Sequence, residues 1–549
     1  MKRNLQLLLA ALPILALGFT SCQSASTEET QTQKEEGVET ITILQTADIH
    51  GQLLPHQEMF VENGKFVFKE RGGVANIQTI FKQMKAENPG GTVIVDGGDL
   101  IQGSAVAALS EGAVFGPVIS AMDYDFLIPG NWEVIFGSQK MRDVLNSYGK
   151  PVVCANIWDE QTNELLYPPY MVKEVKGVKL GFISYNDPEV PIRQNPSFSK
   201  GLVFTGLEDN LQPLIKELKE EQGVDILFLV THLGISKQIY LADQPEIEGV
   251  DFVLGNDTHE RIRKPLQRKY AQVVEPGAFA SFVGRLDLEV KDGKIVGQRY
   301  ELIDVDPAVY PADPVVQGIV EAQMAPYKQE MDRVLGYTSE PLYRYLVVEN
   351  AMDNMITDAL RWKTGADIAF SNGFRFSTPI VPGADGKAPI TVSDVWNMLP
   401  VNENAKVGKA TGQQIHDWME KELHNVFAEN PLERFGGWVV RFSGMEMNFN
   451  ANAPKGQRVQ SITVVGKPLD LNKVYTLAAC LRRGESEHML CRMPNAKDPK
   501  VLDYTVHDVL EEYLKHHGTV APKIDGRAKA LDLEAPVLSQ LPNVDYTFR

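Results

Sequence analysis

The chain has little of what several classes of protein depend on. Only four of its 549 residues are cysteines, and the three beyond Cys22 (Cys154, Cys480 and Cys491) are an odd number, which excludes a complete disulfide framework. Cys480 and Cys491 could pair in an oxidising compartment, and reduced buried thiols are the other interpretation. Positive charge is also scarce, because 54 Lys and Arg stand against 72 Asp and Glu. The resulting net charge of −18 argues against a nucleic acid polymer as partner.

Long apolar runs are missing beyond the N-terminus. Lys2 and Arg3 precede an apolar run from Leu5 to Phe19, which is too short for an ordinary membrane span. Thr20-Ser21-Cys22 then resembles a bacterial lipobox, so we expect a lipoprotein signal peptide over residues 1–21 and lipidation of Cys22. An ordinary signal peptide with an incidental cysteine is the alternative. Residues 22–40 are mostly Ser, Thr, Gln and Glu and predict a flexible tether. The expected product is an exported bacterial lipoprotein, in the periplasm or at the cell surface, anchored to a membrane through Cys22.

The remaining chain is too long for one ordinary core. In residues 41–305, short β-rich runs alternate with helical patterns, which predicts an α/β domain. Residues 306–335 contain prolines and then a polar helical pattern, which predicts a linker helix. Residues 336–532 show the signals of a second α/β domain, and residues 533–549 form a tail.

Each of five strands or apolar runs in the first domain is followed by residues able to bind metal ions. These clusters are Asp48-Ile49-His50-Gly51, Gly97-Gly98-Asp99, Pro129-Gly130-Asn131-Trp132-Glu133, Thr231-His232 and Gly255-Asn256-Asp257-Thr258-His259. Taken singly, each is also what a turn or an ordinary histidine would give. Together they bring carboxylates, imidazoles and a carboxamide to one sheet edge. Two divalent ions about 3.5–4 Å apart need such a mixed set of ligands.

This order of motifs resembles that of metallophosphoesterases of the bacterial periplasmic 5′-nucleotidase type, over nearly all of the chain. The resemblance implies an N-terminal four-layer α/β/β/α metallophosphoesterase domain and a C-terminal α/β 5′-nucleotidase substrate-binding domain. It also implies two divalent metal ions with Asp99 as the bridging ligand. The implied ligands are Asp48, His50, Asp99 and His259 for the first ion, and Asp99, Asn131, His232 and Asp257 for the second.

Two positions depart from the pattern of the family. The family's Gly-Asn-His is Gly130-Asn131-Trp132 here, and the Asp that assists that histidine is replaced by Ile135. Trp132 therefore joins Asp99 and Asn131 at the expected catalytic site, but it cannot serve as a general acid. Because such assistance is worth about 10²–10⁴-fold in rate, a different leaving group, another proton donor or weak activity are all open. The second departure is Asp257 in place of His, and its added oxygen ligand favours Mn²⁺ over Zn²⁺.

In the second domain, the segments 370–375 and 436–444 taken alone indicate turn glycines and core aromatics. Beside the first domain, they resemble the substrate-binding segments of the family. The resemblance assigns substrate contacts to Asn372, Phe374 and Arg375, with Arg441 as a further candidate, since an Arg fork suits phosphate or sulfonate. The family's base-stacking segment is not recognisable, and Leu481-Arg482-Arg483-Gly484-Glu485-Ser486-Glu487-His488 stands in its place.

The thiosulfohydrolase branch of the bacterial sulfur-oxidation pathway shares other details with the chain. That branch also has Trp-Glu at the position of Trp132-Glu133, and its C-terminal domain has a segment similar to Asn425-Val426-Phe427 followed by residues 436–445. Its leaving group, a persulfide, needs little protonation, so a tryptophan would be tolerated there.

Three functions follow from these features. The leading one is two-metal hydrolysis of phosphate esters, with 5′-nucleotidase-like action on nucleotides outside the cytoplasm. The second keeps the metals and hydrolyses sulfur esters, as a thiosulfohydrolase does. The third is a non-catalytic binding protein that retains the metal site. In each case the expected partner is a small anion, a nucleotide or a sulfur ester, and the expected cofactors are two divalent ions.

Overall fold

The computed structural model describes residues 37–372, 377–435 and 437–534. The first domain contains strands β1–β15 and helices α1–α7. The strands are β1 Glu39–Thr46, β2 Pro55–Glu62, β3 Lys65–Gly72, β4 Thr92–Asp96, β5 Phe126–Leu127, β6 Ile157–Asp159, β7 Tyr170–Val175, β8 Val178–Tyr185, β9 Leu202–Phe204, β10 Ile226–Thr231, β11 Phe252–Gly255, β12 Leu266–Gln267, β13 Gln272–Val274, β14 Phe282–Lys291 and β15 Lys294–Asp304. The helices are α1 Val74–Glu87, α2 Ala105–Leu109, α3 Phe115–Ala121, α4 Ser138–Ser147, α5 Val190–Arg193, α6 Leu211–Lys216 and α7 Ile235–Leu241.

Two mixed sheets form the centre of this domain. Their strand orders are β15-β14-β1-β4-β5 and β12-β13-β11-β10-β8-β7. Along a strand, alternate side chains face opposite sides, so Val93 and Val95 pack between the sheets while Ile94 packs outward against the helices around α1. Leu227 and Leu229 pack outward in the same way from the other sheet. The result is the four-layer α/β/β/α arrangement that the resemblance implied.

The segment expected to be a linker helix contains two helices, α8 Pro314–Met324 and α9 Lys328–Met331. Asp313 caps α8 by accepting the backbone N–H groups of Val315 and Val316, and Pro314 occupies the first turn, where no N–H is needed. Pro326 lies in the tight turn between the two helices, and the chain then enters the next strand at Val334.

The second domain is also α/β. Its strands are β16 Val334–Thr338, β17 Ile368–Ser371, β18 Ala388–Thr391, β19 Asn404–Thr411, β20 Arg441–Ser443, β21 Met445–Phe449, β22 Val459–Val464, β23 Lys467–Pro468, β24 Val474–Cys480, β25 Lys497–Thr505, β26 Thr519–Val520 and β27 Ala528–Ala530. Its helices are α10 Ala351–Thr364, α11 Val392–Met398, α12 Gly412–Phe427 and α13 Val506–His517. The central sheet has the order β20-β17-β24-β19-β25. Among the described residues, no helix has the length and apolarity to cross a membrane.

Candidate metal centre

The predicted metal ligands all follow the carboxyl ends of strands. Asp48 and His50 follow β1, Asp99 follows β4, Asn131 follows β5, His232 follows β10, and Asp257 and His259 follow β11. Strands β1, β4 and β5 run parallel in one sheet, and β10 and β11 run parallel in the other. Since both sheets end at the same side of the domain, the seven side chains converge on one place.

The backbone of these loops is strained. Positive φ values occur at five of the predicted ligands, namely Asp48 (51°), His50 (48°), Asp99 (58°), Asp257 (93°) and His259 (64°). Residues other than glycine adopt this region at a cost, and such residues concentrate at functional sites. The loops are also closely packed, because a Cβ atom at Gly130 would collide with the Asp99 carboxylate. The fold therefore tolerates conformational strain that aims these side chains at one another.

Two groups of side chains are close enough to hold a metal ion each. The first is Asp48, His50 and His259, in which His259 Nε2 lies 3.6 Å and His50 Nε2 lies 3.9 Å from Asp48 Oδ1. The second is Asp48, Asp99 and His232, in which His232 Nε2 lies 3.2 Å from Asp99 Oδ2 and 3.9 Å from Asp48 Oδ1.

Asp48 belongs to both groups. Asp99, the bridging ligand implied by the resemblance, also reaches both, since its Oδ2 lies 3.6 Å from His50 Nε2. The geometry thus places two carboxylates between the two groups.

The residues present fit divalent cations. Asp48 Oδ1 and His232 Nε2 are buried and have no hydrogen-bond partner among the described residues. Buried polar atoms are rarely left unpaired, and a cation would satisfy both. His50 Nδ1 lies 2.9 Å from the carbonyl oxygen of Gln102, and His232 Nδ1 lies 2.8 Å from that of Gly97. Those carbonyls favour the proton on Nδ1, which leaves Nε2 of each ring as a lone pair facing the centre.

Burial disfavours isolated charges in this cluster. It raises the pKa of Asp48 well above its usual range and lowers the pKa of His50 to about 4. Burial also opposes ionisation of Asp99, but the charge of His232, whose Nε2 lies 3.2 Å from Asp99 Oδ2, outweighs that effect and lowers the pKa of Asp99. Cations bound among these carboxylates would offset the mutual repulsion of their charges.

Asp257 and Asn131 are held by residues that the sequence analysis did not single out. Arg193 contacts both oxygens of Asp257, with Nη2–Oδ1 at 2.9 Å and Nη1–Oδ2 at 3.1 Å. Asn131 Nδ2 donates to Asp257 Oδ1 at 2.6 Å, and Asn131 Oδ1 accepts from Gln194 Nε2 at 2.8 Å. Arg193 and Gln194 lie in a segment without a recognisable motif, so no spacing signal pointed to them. His232 Nε2 lies 3.8 Å from Asp257 Oδ1, which keeps Asp257 at the edge of the second group.

Comparison with known proteins follows the same division of the chain. Residues 41–261 match the family model for calcineurin-like phosphoesterases, and residues 334–480 match the model for the 5′-nucleotidase C-terminal domain. The chain belongs to the metallophosphoesterase/5′-nucleotidase family, a family of hydrolases. The predictions of family, fold and enzyme class are therefore confirmed.

Similar proteins carry more than one name. The trifunctional nucleotide phosphoesterase protein YfkN of Bacillus subtilis (strain 168) is 23% identical to this chain. The match covers 91% of this chain but only 35% of the length of YfkN. The sulfate thiohydrolase SoxB of Thermus thermophilus is similar in structure, with a TM-score of 0.82 and 24% identity over 92% of this chain and 98% of SoxB. A 5′-nucleotidase precursor, also from Thermus thermophilus, gives a TM-score of 0.77 and 23% identity over 90% of this chain and all (100%) of that one. At these identities the two structures show a shared fold.

Trp132, which replaces the family's histidine, and its neighbour Glu133 have different surroundings. Glu133 is fully buried and accepts the backbone N–H groups of Asp99, Leu100 and Gly130, so it fixes the loops around the centre. Burial raises the pKa of Glu133 to about 8. The backbone N–H of Trp132 donates to Asp99 Oδ1 at 2.8 Å, while the ring of Trp132 is one wall of a cavity.

Two cavities of this metallophosphoesterase flank the centre, and residues of both domains line them. One, of about 700 Å³, is lined in part by Trp132, Arg193, Asn372 and Arg482. The other, of about 480 Å³, reaches the predicted ligand Asp257. It is also lined by three cationic side chains and two aromatic rings, which are Arg193, Lys237, Arg434, Phe435 and Trp438.

The second-domain residues assigned by resemblance are placed less uniformly. Asn372 lines the larger cavity, and its carbonyl oxygen accepts from Trp438 Nε1 at 2.7 Å. Arg441 is buried among structural contacts: Nη2 donates to the carbonyl oxygen of Leu346 at 2.8 Å, and Nε lies 3.2 Å from Asp353 Oδ2. Phe374, Arg375 and the lipidation candidate Cys22 lie outside the described residues. The thiols of Cys480 and Cys491 are unlinked, with their sulfurs 3.5 Å apart.

Proposed function

We propose that this protein is a two-metal phosphoesterase that hydrolyses nucleotides or related phosphate esters outside the cytoplasm. The observation that carries the proposal is the pair of ligand groups that share Asp48. They lie beside a cavity that is lined by cationic side chains and aromatic rings. Cations suit a phosphate, and aromatic rings suit the flat face of a nucleobase. The names of the similar nucleotidases and of YfkN support the same substrate class.

The proposed first ion would be held by Asp48, His50, Asp99 and His259, and the second by Asp99, Asn131, His232 and Asp257. Two divalent ions, when bound, would polarise a phosphoryl oxygen and activate water. The carbonyls of Gln102 and Gly97, next to Nδ1 of His50 and His232, would favour the tautomers that leave Nε2 to bind the ions. We further propose Mn²⁺ rather than Zn²⁺, because Asp48, Asp99, Asn131 and Asp257 make the donor set rich in oxygen. Metal analysis after purification without chelators tests this, and stoichiometric zinc alone would contradict it.

On the substrate side, Lys237, Arg434 and Arg193 line the cavity beside Asp257 and would hold an anion, while Trp438 and Phe435 present aromatic surface. Asn372 is proposed as a substrate contact from the other cavity, with Phe374 and Arg375 of the same segment. Arg441 is not included, because its guanidinium contacts Asp353 and backbone carbonyl oxygens and does not line either cavity.

A second candidate function is hydrolysis of a sulfur ester. Trp132 stands where the family's proton donor would be, and Ile135 where its assisting carboxylate would be. A leaving group that needs little protonation, such as a persulfide, would be indifferent to this loss. The name of the structural neighbour SoxB is consistent with this candidate.

One set of assays separates these functions. The purified protein would be incubated with Mn²⁺ and AMP, UDP-glucose, bis(p-nitrophenyl) phosphate or a protein-cysteine S-thiosulfonate, with Asp99→Ala as the blank. Nucleotide turnover that disappears in the Asp99→Ala protein is the expected result. Inertness toward every phosphate ester with release of sulfate would support the sulfur branch. Silence on all four substrates with metals bound would support a non-catalytic binding protein.

We also propose export and lipidation at Cys22. Fatty-acid labelling of the protein in bacterial cells, lost in a Cys22→Ser variant, is the expected result. Labelling that persists in the variant would contradict it.

A further inference from the structure

The loop Leu481 to His488 stands where the family's base-stacking segment is missing, and its contacts show a different use. Arg482 reaches from the second domain to the first, where its Nη2 donates to three successive backbone carbonyls. These are the carbonyl oxygens of Ile192 at 3.1 Å, Arg193 at 3.2 Å and Gln194 at 2.8 Å. Glu485 fixes the guanidinium from the other side, with Oε1 3.0 Å from Nη1. The Arg482 side chain is only 10% exposed, and its bonds to Arg193 and Gln194 are partly buried, while the bond to Ile192 lies at the exposed surface.

The carbonyls that Arg482 contacts need a donor. They lie at the end of helix α5, Val190–Arg193, beyond which the chain becomes extended at Gln194. The last carbonyls of a helix have no partner within it, and a cation near this end also interacts favourably with the helix dipole. Arg482 supplies both the donors and the charge.

The same short segment holds the second-ion side of the proposed centre. Arg193 contacts both oxygens of Asp257, and Gln194 donates to Asn131 Oδ1. By contrast, His50 Nδ1 lies 2.9 Å from the carbonyl oxygen of Gln102, and His259 Nε2 lies 3.6 Å from Asp48 Oδ1.

We infer that Arg482 is a positioning residue for the second metal ion, supplied by the other domain. By holding the backbone at residues 192–194, it sets the side chains of Arg193 and Gln194, and these orient Asp257 and Asn131. The inference rests on the metal centre proposed above. It predicts that the two ions depend unequally on one second-domain arginine.

The test measures Mn²⁺ binding by the full-length protein directly, by calorimetry and by electron paramagnetic resonance, which distinguishes an exchange-coupled Mn²⁺ pair from isolated ions. In the Arg482→Ala protein, we expect affinity for the second ion to fall about 10–100-fold, the range found when residues behind metal ligands are changed. Affinity for the first ion should stay within about 2-fold, and the coupled signal should give way to that of isolated Mn²⁺. Arg482→Lys keeps the charge but lacks the planar guanidinium whose Nη1 pairs with Glu485 while Nη2 faces the carbonyls, so it should lie between.

The neighbouring arginine provides a matched control. Arg483 lies in the same loop, pairs with Glu403 of its own domain, and has a side chain that is 62% exposed. Arg483→Ala should leave both affinities unchanged. A thermal melt of each metal-free variant shows whether it is folded, and Arg482→Lys carries the test if the alanine variant is not.

A double-mutant cycle with Gln194→Ala tests the route of the effect. If Arg482 acts through Gln194, the two losses in second-ion affinity should be less than additive. Equal weakening of both ions, unchanged binding in Arg482→Ala, or full additivity in the cycle would each overturn the inference. A wild-type protein that binds no Mn²⁺ pair at all would instead refute the proposed centre.

Discussion

The polar side chains at the strand ends of the first domain face one another around one centre, whereas Arg441 of the second domain is surrounded by groups of its own domain. Asp48 Oδ1 and His232 Nε2 lack a hydrogen-bond partner among the described residues. Arg441, equally buried, contacts Asp353 and two backbone carbonyl oxygens. A buried polar group without a protein partner is a candidate for an external ligand, and one with such partners contributes to the structure. We therefore interpret Asp48 and His232 as ligand-binding residues and Arg441 as a structural residue.

The largest effect should follow from the residue shared by both ligand groups. Asp48→Asn removes a charge that both ions would use, so the loss of hydrolysis should exceed the roughly 100-fold loss that marks residues behind the ligands. Binding of Mn²⁺ should weaken at both sites, while the metal-free protein should be no less stable, because a repelled buried carboxylate is gone. Steady-state kinetics, calorimetry and thermal melts measure the three quantities. Asp243→Asn, at the surface pair with Arg268, is the control that should change none of them.

The opposite pattern is expected for Arg441. Arg441→Ala leaves Asp353 buried beside the remaining charge of Arg344, and breaking a buried ion pair costs about 3–5 kcal/mol of stability. Denaturant unfolding should show this loss, while the KM of the folded protein stays the same. A raised KM with unchanged stability would return Arg441 to the substrate site.

The contrast also explains what could be predicted from the sequence. Each of the strand-end motifs lies within a few residues of a buried strand, and parallel strands of neighbouring sheets end on the same side, so the meeting of Asp48, His232 and His259 follows from local pattern. The two-domain α/β organisation was predictable for the same reason, since buried strands and amphipathic helices each have their own period.

Contacts between distant segments could not be predicted in this way. Arg193 reaches Asp257 across 64 residues, and Arg482 reaches Gln194 across 288. Such pairs depend on how folded units pack, and neither arginine belongs to a periodic pattern or motif. Arg441 shows the converse problem, because an arginine next to a glycine-rich segment looks the same in sequence whether it faces a ligand or the core.

Removal of metal should affect the first region selectively. A ligand that binds only the folded state at 100 times its Kd adds about 2.7 kcal/mol to stability. A chelator should therefore lower the unfolding free energy of the wild-type protein by about that amount and leave Asp48→Asn nearly unaffected. Hydrogen exchange should locate the change in the loops after β1, β4, β10 and β11. Equal destabilisation of wild type and variant would mean that the stabilising metal binds elsewhere.

The smallest predicted effect compares the buried histidines of the two regions. His507 of α13 is buried in the second domain, with Nε2 2.7 Å from the carbonyl oxygen of Leu399 and its ring 4.4 Å from that of Trp396. Burial lowers the pKa of His507 to about 4, much as it lowers that of His50. Metal ions would keep His50 neutral, but His507 has only its surroundings to do so.

A depressed histidine pKa means that the unfolded chain binds the proton more readily than the folded protein. The contribution of neutral His507 to stability is therefore complete above about pH 6.5 and is lost as the pH falls toward about 4. Between pH 7.5 and 5.5 we expect a loss of about 1 kcal/mol from this residue at saturating Mn²⁺. His507→Gln keeps a donor for Leu399 but does not titrate, so its unfolding free energy should fall less over the same range. If the unfolding free energies of wild type and His507→Gln depended on pH in the same way, burial would not lower the pKa of His507, and this prediction would be wrong.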